Sequence, residues 1–189
     1  MDQIVKIRSD LPKWLVDNGY MVGAEVGVYK GEFTELFCKA GVKMIYAVDP
    51  YKSYYPTPTD CVTQERQDFI YGHAQRLLAP YNNYKFIRKD SLEAVNDFED
   101  ESLDFVYIDG DHSFKSVVCD IVEWSKKVRK GGIVSGHDYT SLQIYGSQVK
   151  PAVDAYILAF NIKDFITFGS KKLARQNGDM YNTWLWIKE

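Results

Sequence analysis

The stretch that most constrains this chain is Val22-Gly23-Ala24-Glu25-Val26-Gly27-Val28-Tyr29-Lys30-Gly31-Glu32-Phe33, an apolar run with one acidic residue that ends in a Gly-x-x-x-Gly pair. This order of residue types predicts a buried strand that turns directly into a helix. Gly27 and Gly31 lack Cβ atoms, so the backbone can turn sharply at the strand end and a small molecule can approach the helix start closely. Phe33, Leu36 and Phe37 then recur at helical spacing and predict a helix over 32–40. An ordinary tight strand-to-helix turn uses glycine in the same way, so a ligand-binding role depends on what the rest of the chain brings to this edge.

The rest of the chain repeats the alternation. Residues 7–20, with Leu11, Trp14, Leu15 and Val16 followed by Asn18-Gly19, predict an N-terminal helix stopped by glycine. Further strands are expected at 43–49, 84–88, 103–109, 133–136, 165–168 and 183–187, and helices at 62–78, 91–98, 112–128 and 151–160. Gly131-Gly132 should close the helix over 112–128. Residues 51–60, YKSYYPTPTD, are proline-broken and predict a loop or lid. Strands alternating with helices imply a Rossmann-like, doubly wound α/β sheet, mostly parallel, with right-handed crossovers. The last two strands have no convincing helix between them and predict an antiparallel hairpin at one sheet edge. With 189 residues, 46% of them hydrophobic, the chain suits one domain better than two.

Acidic residues recur where the strands end: Glu25, Asp49, Asp90, Asp109 and the pair His137-Asp138. Doubly wound sheets bind ligands outside the carboxyl ends of their strands, so these residues are the candidate site. The net charge of −3 supplies no field to attract nucleic acid or an anionic membrane. Cys38, Cys61 and Cys119 are odd in number and lack paired metal-ligand spacing, as expected of buried thiols in a reducing compartment. No apolar run approaches the roughly 20 residues that span a bilayer, and MDQIVK lacks a signal peptide's apolar core. The expectation is a cytoplasmic protein with a small-molecule substrate and no nucleic-acid or membrane partner.

Asp49 follows Gly27 by roughly twenty residues, where a doubly wound fold places a carboxylate against ribose hydroxyls. A dinucleotide would call for G-x-G-x-x-G, and its pyrophosphate would meet Glu25 at this turn. A cofactor with a cationic amino-acid end is instead favoured by Glu25 and Asp109, because opposite charges attract strongly in a partly desolvated cleft. That chemistry is S-adenosylmethionine's.

The blocks Glu25-Val26-Gly27-Val28-Tyr29-Lys30-Gly31, Ala47-Val48-Asp49, Ile108-Asp109-Gly110-Asp111-His112-Ser113-Phe114 and Gly131-Gly132-Ile133-Val134-Ser135-Gly136-His137-Asp138-Tyr139 resemble class I S-adenosylmethionine-dependent methyltransferases. Within them the chain is similar to a small bacterial and phage subgroup with I-D-G-D-H-S and G-H-D-Y blocks. The resemblance covers about residues 21–160 and implies a seven-stranded sheet with an antiparallel last strand. It also implies that Glu25, Gly27 and Gly31 shape the methionine end of the cofactor site and that Asp49 holds the ribose. Asp90 and Ser91 would flank the adenine, and Asp109 would lie near the methionine amine. For Asp90, capping of the following helix is an alternative role that can coexist with this one.

His112, His137 and Asp138 remain as candidate catalytic residues. Methyl transfer is an in-line displacement, so the protein supplies alignment, plus deprotonation when the acceptor is a hydroxyl or amine. A histidine with an ordinary pKa near 6.5 can accept that proton; helix capping by His112 and a buried, hydrogen-bonded His137 are the alternatives. Catechol-type O-methyltransferases hold a divalent cation such as Mg on carboxylates after the fourth and fifth strands. Asp109 and Asp138 occupy comparable positions, although His137-Asp138 stands where those enzymes have Asp-Asn. Tyr51, Tyr54 and Tyr55 could stack on a sugar or aromatic acceptor. The expected activity is O-methylation of a small molecule, and the alternative is an S-adenosylmethionine-binding module without catalysis of its own.

Overall fold

The computed structural model describes residues 5–53, 63–141, 147–169 and 181–189. In chain order its elements are α1 (Leu11–Asp17), β1 (Val22–Val26), α2 (Glu32–Ala40), β2 (Met44–Val48), α3 (Gln64–Leu78), β3 (Tyr84–Ile87), α4 (Ser91–Ala94), β4 (Leu103–Ile108), α5 (Phe114–Lys127), β5 (Val128–Tyr139), α6 (Val149–Phe160), β6 (Ile166–Phe168) and β7 (Asn182–Ile187). A short 3-10 turn, Arg8–Asp10, precedes α1. The strands form one sheet in the order β3-β2-β1-β4-β5-β7-β6. The first five pair in parallel, and β7 runs antiparallel to both β5 and β6. This is the expected Rossmann-like, seven-stranded sheet. The hairpin is an insertion as well as an edge, because β7 lies between β5 and β6.

The period of two in β4 shows how the layers form. Val106 and Ile108 face a core built with Val117, Ile121 and Trp124 of α5 and Ala152 and Val153 of α6. Phe105 and Tyr107 face the other layer, with Leu11, Leu15, Phe33, Phe37 and Leu78. Burial on both faces explains why β2 and β4 read as almost continuous apolar runs. Among the described residues, no helix is long and apolar enough to cross a membrane.

One boundary differs from expectation for a physical reason. Helix α5 stops at Lys127, and Val128, expected in the helix, is extended and opens β5. Gly131 and Gly132 therefore do not close the helix; they lie inside the strand. The Gly131 N–H donates to the Lys188 carbonyl at 2.7 Å, and the Lys188 N–H donates to the Gly132 carbonyl at 2.9 Å. A Cβ on Gly132 would come within 2.5 Å of the Asp104 carbonyl, in a stretch where the pairing of β4 with β5 shifts register. The glycines serve close strand approach here. Cys38 is buried as expected, whereas Cys119 is half-exposed. Most of the expected 51–60 lid, including Tyr54 and Tyr55, and Cys61 lie outside the described residues.

Candidate active site

A cavity of about 730 Å³ opens above the carboxyl ends of β1, β2, β3 and β4, with Gly27, Asp49, Asp90, Ser91, Asp109 and His112 in its wall. Its base is the turn after β1. Gly27 has φ 90°, and a Cβ there would lie 2.1 Å from the Asp109 carbonyl oxygen, so only glycine lets this turn touch the end of β4. Asp49 holds the turn from the side. Its Oδ2 accepts hydrogen bonds from the Val28 and Tyr29 N–H groups, each at 3.0 Å, and its Oδ1 accepts from the Tyr51 N–H at 2.9 Å.

Tyr51, expected as an exposed stacking residue, is buried instead. Its hydroxyl donates to the Tyr29 carbonyl at 3.0 Å and its ring packs 4.7 Å from Tyr71, so it braces the turn after β1 from behind and is unavailable for stacking.

Two residues expected at the methionine end do not line the cavity. Glu25 is 1% exposed, on the α2 side of β1, where the Thr34 hydroxyl donates to its Oε2 at 2.5 Å. Burial pushes its carboxyl up to about 8, against the lowering effects of Thr34 and the nearby Arg8 charge. At neutral pH it is mostly uncharged, so the attraction expected of it falls to Asp109. Gly31 starts α2 at φ 81°, and a Cβ there would meet Ala74 of α3 at 3.3 Å. Its smallness lets two helices approach each other.

Asp109, His112, His137 and Asp138 do come together. His112 Nε2 lies 3.0 Å from Asp138 Oδ2 and 3.8 Å from Asp109 Oδ1, and His137 Nδ1 lies 3.3 Å from Asp138 Oδ1 and 3.9 Å from Asp109 Oδ1. Asp109 and Asp138 together hold the His112 ring as an imidazolium and push its pKa up to about 10. Although burial opposes it, hydrogen bonds from His112 and His137 hold the Asp138 carboxyl well below the usual carboxylate range. Asp138 sits at φ 56°, a left-handed conformation that costs a non-glycine residue energy and that clusters at functional sites. The two histidines differ in access: His112 is in the cavity wall, while His137 is buried behind it, its carbonyl accepting from the Trp184 indole N–H at 3.0 Å. One ligand atom each from Asp109, His137 and Asp138 can lie within 4.8 Å of the others, a spacing that could hold a metal ion. His73 is half-buried on α3, outside the cavity wall.

Sequence reasoning missed two charged residues. Arg8 donates to Asp109 Oδ2 at 2.6 Å and lays its guanidinium 4.2 Å over the Phe33 ring; nothing in the N-terminal segment marks it. Asp120 is 4% exposed and borders the cavity from α5. Its available signal was position, since a carboxylate one turn before Trp124 interrupts the buried side of an otherwise amphipathic helix. Asp90 takes the position that begins α4 without a side-chain capping bond, and it faces the cavity.

Comparison with known proteins bears on this geometry. A family described as a methyltransferase domain matches residues 24–139. An uncharacterized protein of Sinorhizobium fredii, y4gI, is 35% identical over 54 residues, which are 29% of this chain and 6% of that protein; the chain thus spans a small fraction of this relative's length. An rRNA methylase from Streptococcus thermophilus is similar in fold, with TM-score 0.67 and 11% identity over 98% of each chain. So is a putative caffeoyl-CoA O-methyltransferase from Staphylococcus aureus, with TM-score 0.67 and 14% identity over 98% of this chain and 85% of that one.

Proposed function

The chain belongs to the methyltransferase-domain family, and on that premise we propose that it binds S-adenosylmethionine in the cavity above β1, β2 and β4 and methylates a hydroxyl of a small molecule. The observation that carries the cofactor assignment is the Gly27 turn, with the Asp49 carboxylate on one side and Asp109 on the other, in a single cavity of the size ligands of this class occupy. Asp49 would take the ribose hydroxyls, and Asp90 with Ser91 the base. Asp109, now paired with Arg8, would take the methionine ammonium, with Glu25 and Gly31 supporting that end from behind the wall. S-adenosylmethionine supplies an electrophilic methyl group and a positive charge when bound.

The chain's own part is alignment and proton handling. His112 turns its Nε2 toward Asp138 and Asp109, so Nδ1 is the ring nitrogen left to receive a hydroxyl proton, while Asp138 orients the ring and stabilises the imidazolium that results. In the free protein the ring already carries that proton. A positive charge held beside Asp109 would lower the affinity of His112 for that proton. His137, buried behind Asp138, supports this pair. The net charge of −3 supplies no field to attract nucleic acid, which favours a small acceptor.

A metal-assisted form of the same reaction draws support from the Asp109, His137 and Asp138 cluster. An imidazole in the set fits manganese better than magnesium, which prefers oxygen ligands, and Arg8 and His112 already compensate both carboxylates. Calorimetry with S-adenosylhomocysteine and with NAD tests the cofactor: tight binding of the first and none of the second is expected, and the reverse order would overturn the assignment. Turnover in the presence of chelator then separates the two forms, and binding without methyl transfer to any hydroxyl acceptor would favour a non-catalytic module.

A further inference from the structure

Gln148 stands where α6 begins, a position that favours Ser, Thr, Asn and Asp because a short side chain can turn back onto the helix's own N–H groups. The Gln148 side chain makes no such bond. It reaches across to α5 instead, where its Oε1 accepts from the Phe114 N–H at 2.9 Å, while its backbone N–H donates to the His112 carbonyl at 2.8 Å. The Phe114 N–H is one of those that the first turn of α5 cannot satisfy by itself. One exposed residue thus holds the chain at His112 and again two residues on. Between and before these points the turn is held by its own side chains: Ser113 Oγ accepts from the Ser116 N–H at 3.3 Å, and Asp111 Oδ1 accepts from the Ser113 N–H at 2.7 Å.

The far side of this bridge is anchored in the core. Helix α6 buries Val149, Ala152 and Val153 in the cluster that also contains Val117 and Trp184, so the backbone of His112 takes its place from the start of α6. The same connection serves both members of a pair. The chain leaves β5 at Asp138 and Tyr139 and reaches α6 at Gln148, which then holds His112, whose Nε2 lies 3.0 Å from Asp138 Oδ2. On the assignment of His112 as proton acceptor, on which this step rests, such a tie has a consequence for rate, since a misplacement of about 1 Å costs on the order of 10²-fold. We infer that Gln148 is a positioning residue: by joining the starts of α5 and α6 it holds the His112 ring against Asp138 and so fixes where Nδ1 is offered to the acceptor.

The test compares the wild-type protein with Gln148→Met, which keeps the length and the backbone N–H but has no strong acceptor, and with Gln148→Glu, which keeps an acceptor oxygen for the Phe114 N–H. The readout is the solvent exchange of the His112 Nε2–H, followed by NMR on protein labelled in its three histidines, with the His112 signal identified by its absence from His112→Ala. Gln148→Met should speed that exchange about 10-fold, the free energy of roughly one hydrogen bond, and Gln148→Glu should restore the wild-type rate. Both variants should bind S-adenosylhomocysteine as the wild type does. A Gln148→Met protein that is less stable to denaturant but exchanges at the wild-type rate overturns the inference, because Gln148 is then only a helix cap. So does equal acceleration in both variants. Failure of the wild type to bind S-adenosylhomocysteine overturns the cofactor assignment itself, a result distinct from an unchanged exchange rate.

Discussion

His112 and Glu25 show how much one side chain's charge depends on its partners. Between Asp109 and Asp138, His112 is cationic in the free protein, with a pKa near 10. Replacing Asp138 by Asn should bring that pKa down toward the ordinary histidine value, read by NMR titration of the ring. His112→Ala should lower turnover about 10²- to 10⁴-fold, the usual range for losing a general base, with S-adenosylhomocysteine affinity nearly unchanged. Glu25 is shifted in the same direction, but burial leaves it uncharged where His112 is charged. Its folded pKa, about 8, exceeds the ordinary value of 4.5, so the folded state holds a proton that the unfolded chain releases. Its favourable contribution is fully present below pH 4.5 and is lost as pH rises through 8. Glu25→Gln, which still accepts from Thr34, should remove this loss and raise stability at pH 8.5 relative to wild type by on the order of a few kcal/mol. Denaturant titrations at pH 5 and pH 8.5 would measure it.

Among the elements, β5 connects the cluster of Asp109, His112, His137 and Asp138 to the core. It carries His137 and Asp138 at one end and pairs in parallel with β4 and antiparallel with β7. At Gly136 the three strands leave no space for a side chain: a Cβ would lie 2.3 Å from the Trp184 ring and 2.4 Å from the Ile108 carbonyl. Gly136→Ala should therefore cost about 1 to 3 kcal/mol, read by denaturant unfolding, and should also reduce turnover by displacing the adjacent His137. Helix α2 was legible to the residue, and most other boundaries to within a few, because an apolar stripe or run is a local pattern. The junction of α5 with β5 was not legible. A glycine pair after a helical stripe reads as a helix stop, and only the partner strands show that these glycines are needed for pairing.

At the scale of the molecule, the order β3-β2-β1-β4-β5-β7-β6 places the change of winding direction between β1 and β4, and the cavity opens there. A ligand there contacts loops after four strands, so it should stabilise the whole sheet. With S-adenosylhomocysteine at 100 times its Kd, mass action adds about 2.7 kcal/mol. For a chain of this size that raises Tm by roughly 5 to 10 °C, measurable by calorimetric melting.

The sequence by itself determined the α/β alternation, the glycine turn and the set of acidic residues at strand ends, because each follows from local periodicity or from backbone freedom at one position. It also marked His112, His137 and Asp138 as neighbours of the cleft. What those residues do was decided by tertiary structure. The faces of β1 leave Glu25 buried and largely uncharged, and packing beneath the Gly27 turn removes Tyr51 from solvent. The N-terminal turn delivers Arg8 to Asp109, and the meeting of α4 with α5 turns Asp120 from an interruption in a helix stripe into part of the cavity wall. Charge state and partner choice depend on groups distant in sequence and on the low dielectric they share, and neither quantity is written in a local pattern.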